Sequence, residues 1–178
     1  AEEVARQACA YFDAHPGEES FSIANGDGAG WCTCAACRAL DGADRIWGRH
    51  SGRYSRRMCI FFNRVAEIVA RTHAGRTLGM LAYNSYIAPP EDVKLHPLLM
   101  PYVCSARDGY YDPAFRAADE AVLAGWGRLA RQIGVYEYWH GLGVLVPNLY
   151  TELLTGALRR AYDLGARGFT SEAYPNWG

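Results

Sequence analysis

The sequence predicts an α/β fold, a partial (β/α)8 TIM barrel of about five parallel strands with covering helices. Three observations predict it. Short strand-like runs alternate with stretches whose apolar residues recur at helical spacing. Asp27, Tyr83-Asn84, Arg107-Asp108, Glu137 with His140, and Glu172 fall at or just past the C-terminal ends of those runs, where barrel enzymes gather their polar groups. No strand is followed by a Gly-rich phosphate loop, since Gly26-Asp27-Gly28-Ala29-Gly30 leads into cysteines. That disfavours the competing doubly wound nucleotide-binding sheet.

The elements follow in order. Val4, Ala8, Tyr11 and Phe12 share one helical face over residues 1–14, and His15-Pro16 ends that helix. Phe21 to Asn25 reads as a strand running into the glycine-rich turn. A polar stretch extends to about Gly52. Met58, Phe61, Phe62, Val65, Ile68 and Val69 then mark a long amphipathic helix from Tyr54 to His73, with Gly75 placed to end it. Thr77 to Tyr83 and Pro101 to Ser105 are strands joined only by a proline-rich loop at Ala88-Pro89-Pro90. Phe115, Ala118, Val122, Trp126, Leu129 and Ile133 mark the next helix, and Val135 to Trp139 the next strand. Pro147 suits a first helical position. Leu149, Leu153, Leu154, Leu158 and Ala161 carry that helix to Gly165, and Gly168 to Glu172 is the last strand.

Composition sets the bounds. The chain has 178 residues and 18 basic against 19 acidic side chains, with half of its residues hydrophobic. This suits one folded domain. A net charge of −1 gives no basic excess for nucleic acid, and no apolar run approaches the ~20 residues of a membrane span. The chain opens on Ala1-Glu2-Glu3 and stops at Pro175-Asn176-Trp177-Gly178. Residues 1–178 are therefore expected to be the C-terminal majority of a barrel domain from a longer chain.

The carboxylates are the first candidates for chemistry. An outward Glu137 would press a charge against the covering helices, which is costly without a partner. It is therefore expected to point inward with Val135 and Trp139, leaving Tyr136 and Tyr138 outside. The same parity groups Glu172 with Thr170 and Gly168, and Asn25 and Asp27 with Phe21 and Ile23. The plainer alternative is that these acids pair with Arg107 or cap neighbouring helices. Acids surrounded by Tyr83, Tyr86, Tyr138, Trp139 and Trp177 suggest a carbohydrate site, because aromatic rings stack on the apolar faces of sugars. Glycosidases use one carboxyl as proton donor and a second as nucleophile or base, roughly 5–5.5 Å apart when retaining and about 6.5–9.5 Å when inverting. Glu137 is the expected general acid, its pKa raised by aromatic surroundings. Glu172 or Asp27 is the expected second acid, and Asn25, Tyr83, Arg107, Tyr138, Trp139, His140 and Trp177 are expected substrate contacts. The rival readings are a non-catalytic carbohydrate-binding barrel and a metalloenzyme built on the cysteines.

Those cysteines form a dense Cys32-Thr33-Cys34-Ala35-Ala36-Cys37 cluster. Three thiolates at this spacing could hold a structural Zn²⁺, with Cys59, His50 or a distant histidine as fourth ligand. A disulfide or reduced thiols are the plainer alternatives. Cys9, Cys59 and Cys104 fall in apolar periodic segments and are expected to be buried. Arg56-Arg57 and Arg159-Arg160 read as solvated helix faces.

Several segments resemble a bacterial domain family formerly of unknown function that is associated with glycoside hydrolase family 163. They are Phe21 to Gly28 followed by the C-x-C-x-x-C cluster, Phe62-Asn63-Arg64-Val65-Ala66, Leu81-Ala82-Tyr83 with Pro89-Pro90, Tyr136-Glu137-Tyr138 and Gly168 to Glu172. The resemblance runs in order along nearly the whole chain. It implies a TIM-barrel hydrolase acting on N-acetylhexosamine-containing glycans, of the endo-β-N-acetylglucosaminidase kind, with no cofactor required for catalysis. It also implies a secreted or periplasmic protein, and makes Asp27, Tyr83, Glu137 and Glu172 family-motif positions.

Overall fold

A computed structural model describes residues 1–26, 30–43, 46–47, 50–105, 107–140 and 151–173, without the side chains of Ile46, Trp47, Asp108, Trp139, His140 and Ala173. The first helix, α1 (Glu2–Ala14), leads to the short strand β1 (Ser20–Ser22). A four-residue helix α2 (Ala35–Arg38) and a small antiparallel pair, β2 (Ile46–Trp47) and β3 (His50–Ser51), fill the stretch that reads as polar loop in the sequence. Then come α3 (Ser55–His73), β4 (Thr77–Ala82), β5 (Leu99–Ser105), α4 (Pro113–Leu129), β6 (Ile133–His140), α5 (Thr151–Asp163) and β7 (Ala166–Ala173). Short 3-10 turns at Asn84–Tyr86 and Arg107–Tyr111 follow β4 and β5.

Among the described residues β1, β4, β5, β6 and β7 form one sheet in that order, every neighbouring pair parallel. The sheet curls as a half-barrel with helices around it, as the alternation of elements predicts. Only a loop and a 3-10 turn join β4 to β5, as their proline-rich connection implies. No described helix is long and apolar enough to cross a membrane.

The core lies between the sheet and its helices. Phe12 of α1, Phe62, Val65 and Val69 of α3, Val122 and Trp126 of α4 and Ala161 of α5 meet Leu78, Met80, Leu99, Val103, Ile133 and Val135. The helices begin and end where local chemistry dictates. Asp112 accepts a hydrogen bond from the Ala114 amide at 2.9 Å and Pro113 takes the first helical position of α4. Gly165, with φ of +99°, turns the chain out of α5 in a conformation only glycine adopts without strain.

The opposite face of the sheet is the inner one. Ser20, Ser22, Thr77, Gly79, Met100, Tyr102, Tyr136, Gly168 and Thr170 line a cavity of about 620 Å³ there. Tyr102 lies across its small neighbours. A Cβ added to Gly134 would stand 2.5 Å from the Tyr102 ring, and one added to Gly168 would stand 2.6 Å from its hydroxyl. Large and small residues alternate in this way to fill small barrels. Gly134→Ala is expected to cost about 1–3 kcal/mol of stability by overpacking against that rigid ring, read as a lower urea midpoint with unchanged slope.

Candidate active site

The C-terminal end of the inner face carries the densest polar chemistry. On β6, Tyr136 pairs with Thr170 and Tyr138 with Glu172 of β7, so these side chains share the inner side. The Tyr136 hydroxyl donates to Glu172 Oε1 at 2.6 Å, and the Tyr136 and Tyr138 rings stand 5.4 Å apart. Tyr138, Tyr83, Asn84, Cys104, Ile87, His50 and Ser51 line an adjoining open cavity of about 450 Å³. Burial raises the Tyr138 phenol above its ordinary range, and Cys104, Tyr83, Glu172 and Tyr136 add to the rise. Asn84 holds φ at +50°, in the left-handed region that asparagine tolerates better than most residues. Strain of this kind gathers at functional sites.

Aromatic rings continue the rim. Tyr83 and Tyr86 meet edge to face at 6.4 Å, and Trp31 meets Tyr86 at 5.7 Å. Trp31 stacks on Tyr54 at 4.2 Å. The Tyr86 hydroxyl donates to Asn25 Oδ1 at 3.0 Å, which fixes the amide just beyond β1. Asn25, Tyr83, Tyr138 and Glu172 are thus gathered at one end of the sheet. Asp27 and Trp177 lie outside the described residues, as do the side chains of Trp139 and His140.

Glu137 faces the other way. The inward orientation expected from strand parity is corrected here, because Glu137 shares the helix-facing side of β6 with Ile133 and Val135. Tyr136 and Tyr138, expected outside, are the inner residues. The plainer alternative holds for this residue, and its partner is Arg107. Its Nε donates to both Glu137 oxygens, at 2.9 and 3.1 Å, and its Nη2 lies 2.7 Å from Oε1. Asp119 of α4 completes the cluster. Its Oδ2 accepts from Ser105 at 2.6 Å, from Tyr110 at 2.5 Å and from Arg107 Nη1 at 3.1 Å. Arg107 Nη1 also meets the Tyr110 hydroxyl.

His50 Nε2 stands 3.4 Å from the outer oxygen of Asp119 and connects this buried cluster to the cavity that His50 lines. Arg107, Asp119 and Glu137 are 3%, 2% and 1% exposed, so the cluster carries two carboxylates against one guanidinium almost without water. Burial lifts Glu137 above the usual carboxylate range, Arg107 pulls it back, and Asp119 adds to the rise. Arg107, expected to touch substrate, is committed to this cluster. Sequence reading missed Asp119, although it interrupts the apolar stripe of α4 between Phe115 and Val122, and a charge at such a position signals a buried partner.

The cysteines sit beside this end of the sheet. The Cys32, Cys34 and Cys37 sulfurs all lie within 4.8 Å of one another, a group that could hold a metal ion. Cys34 caps α2 and accepts from the Cys37 amide at 3.5 Å. That bond, with help from the Cys32 and Cys37 thiols, lowers the Cys34 thiol, whereas hydrogen bonds to Cys32 and Cys34 push Cys37 up to about 11. Among the described residues no cysteine, histidine or carboxylate joins the three as a fourth ligand; Cys59 is fully buried in the core and His50 stands against Asp119. Arg57, expected on a solvated face, is buried. It forms two hydrogen bonds to the Asp41 carboxylate, at 2.7 and 2.6 Å, and donates to the Cys32 carbonyl at 2.9 Å.

The chain matches the domain of unknown function DUF4838 over residues 1–177. It belongs to that family. No curated protein and no solved structure matches it significantly. Family membership therefore places the domain without assigning it a reaction.

Proposed function

We propose that this domain is a glycoside hydrolase acting on N-acetylhexosamine-containing glycans, of the endo-β-N-acetylglucosaminidase type. The observation that carries the reading is the inner C-terminal cleft, where Glu172 stands beside Tyr136 and Tyr138, with Tyr83 and Asn25 on the same rim. Aromatic rings there supply stacking surfaces for pyranose rings, and the carboxyl supplies a proton to the departing glycosidic oxygen. The resemblance to the glycoside hydrolase family 163 group points to the same substrate class and to an exported protein.

Roles follow from orientation. Glu172 faces the cleft and is the proposed general acid, held by the Tyr136 hydroxyl. Asp27 follows β1 in the sequence and is the proposed second acid, orienting the substrate acetamido group or attacking directly. Asn25 is suited to hydrogen-bond that acetamido group. Glu137 is a positioning residue in this account: with Arg107 it locks the end of β6, from which Tyr136 and Tyr138 reach into the cleft. Hydrolysis by this route consumes one water and needs no cofactor.

The test is incubation of the full-length protein with a complex-type N-glycoprotein, with released glycan read by mass spectrometry. Release with one N-acetylglucosamine left on the asparagine is the expected result. Retention of the glycoprotein on immobilised protein without release would replace the hydrolase by a carbohydrate-binding barrel.

A further inference from the structure

The loop around α2 holds its shape with almost no core of its own. From Gly30 to Gly42 no side chain is fully buried, and only Trp31, Cys37, Asp41 and Gly42 are even half-buried. Such a segment cannot be ordered by apolar burial alone. Yet its three sulfurs converge, all present as free thiols, within 4.8 Å of one another. Around a tetrahedral Zn²⁺ with bonds of about 2.3 Å, sulfurs stand roughly 3.8 Å apart, which falls inside that limit.

We propose that Cys32, Cys34 and Cys37 form a three-thiolate Zn²⁺ site, its fourth position open to solvent, that ties this loop together where Arg57 of α3 holds it. This site is independent of the glycosidase reading. Three thiols are odd in number, so a disulfide would leave one sulfur over, whereas a metal uses all three. The ligands are also held in advance. Arg57 pins the Cys32 carbonyl at 2.9 Å while gripping Asp41 on the far side of α2, and the Cys37 amide donates to the Cys34 sulfur. Surrounding hydrogen bonds of this sort orient metal ligands and fix the loop that carries them. Binding displaces three thiol protons, leaving a site of charge −1 beside the Arg57 guanidinium, which interacts electrostatically with Cys37. The tie fixes Trp31, which is stacked on Tyr54 and meets Tyr86 at the cleft rim.

The experiment uses the whole chain, purified under reducing conditions and assayed for bound metal. About one zinc per chain is expected. Chelation should strip it, expose the three thiols to a thiol reagent and increase tryptic cleavage at exposed Arg38, and added Zn²⁺ should reverse both changes. Cobalt(II) added to the stripped protein should give intense thiolate-to-metal charge-transfer absorption. Cys34→Ser should lose at least about tenfold in zinc affinity, while Cys9→Ser should keep it. Absence of the cobalt band in stripped wild-type protein, or full zinc retention in Cys34→Ser, would overturn the site. The cobalt titration needs no variant, so it stands even where Cys34→Ser fails to fold.

Discussion

Replacing Arg107 with alanine is expected to destabilise the domain by about 3–5 kcal/mol at neutral pH, the usual consequence of stranding a buried carboxylate. Arg107 is the only guanidinium in hydrogen-bond contact with Glu137 and Asp119 among the described residues, and all three are nearly free of water. The loss should depend on pH in a defined direction. Glu137 already titrates above the usual carboxylate range because of burial, and Arg107 opposes that rise. A carboxyl whose folded pKa exceeds its unfolded value favours folding below the unfolded value of about 4.5, and that contribution disappears as pH rises through the folded value. Removing Arg107 widens this window. Urea midpoints measured near pH 4.5 and pH 7 should therefore show a smaller deficit at the acid end. A deficit independent of pH would mean that Glu137 does not bear the burden.

Glu172→Gln is expected to abolish hydrolysis, by about 10²–10⁴-fold in kcat, while leaving the urea midpoint within about 0.5 kcal/mol of wild type. The side chain is half-buried at the rim of an open cleft, and its partner, the Tyr136 hydroxyl, can still donate to the Gln carbonyl. Substrate binding should survive, because the stacking tyrosines are untouched. Tyr136→Phe should cost less, since it removes one hydrogen bond to the acid and not the acid itself.

The half-barrel is legible in the sequence because its helices and strands are written in simple periodicities. The stripe from Met58 to Val69 and the stop at Gly165 both correspond to observed features. What escapes is information carried by residues distant in sequence. Parity on β6 misplaces Glu137 because it weighs the cost of an unpaired charge, whereas Arg107, 30 positions away, provides the pairing and is itself held by Asp119. Parity places Glu172 correctly beside Thr170 because no such hidden partner intervenes. Arg57 goes the same way as Glu137: its partner Asp41 lies in a loop with no periodicity to reveal it. Aromatic positions suggest a carbohydrate surface, but the choice between Tyr136 and Trp139 depends on the same parity.

The division of labour between the two glutamates is the central claim, and glycan release by the full-length wild type, Glu172→Gln and Glu137→Gln, run side by side and read by mass spectrometry, tests it most directly. Each variant's fold is to be checked by its urea midpoint. The account predicts release by wild type, none by Glu172→Gln, and residual release by the less stable Glu137→Gln. A fully active Glu172→Gln beside a folded but inactive Glu137→Gln would contradict it and return the proton donor to β6.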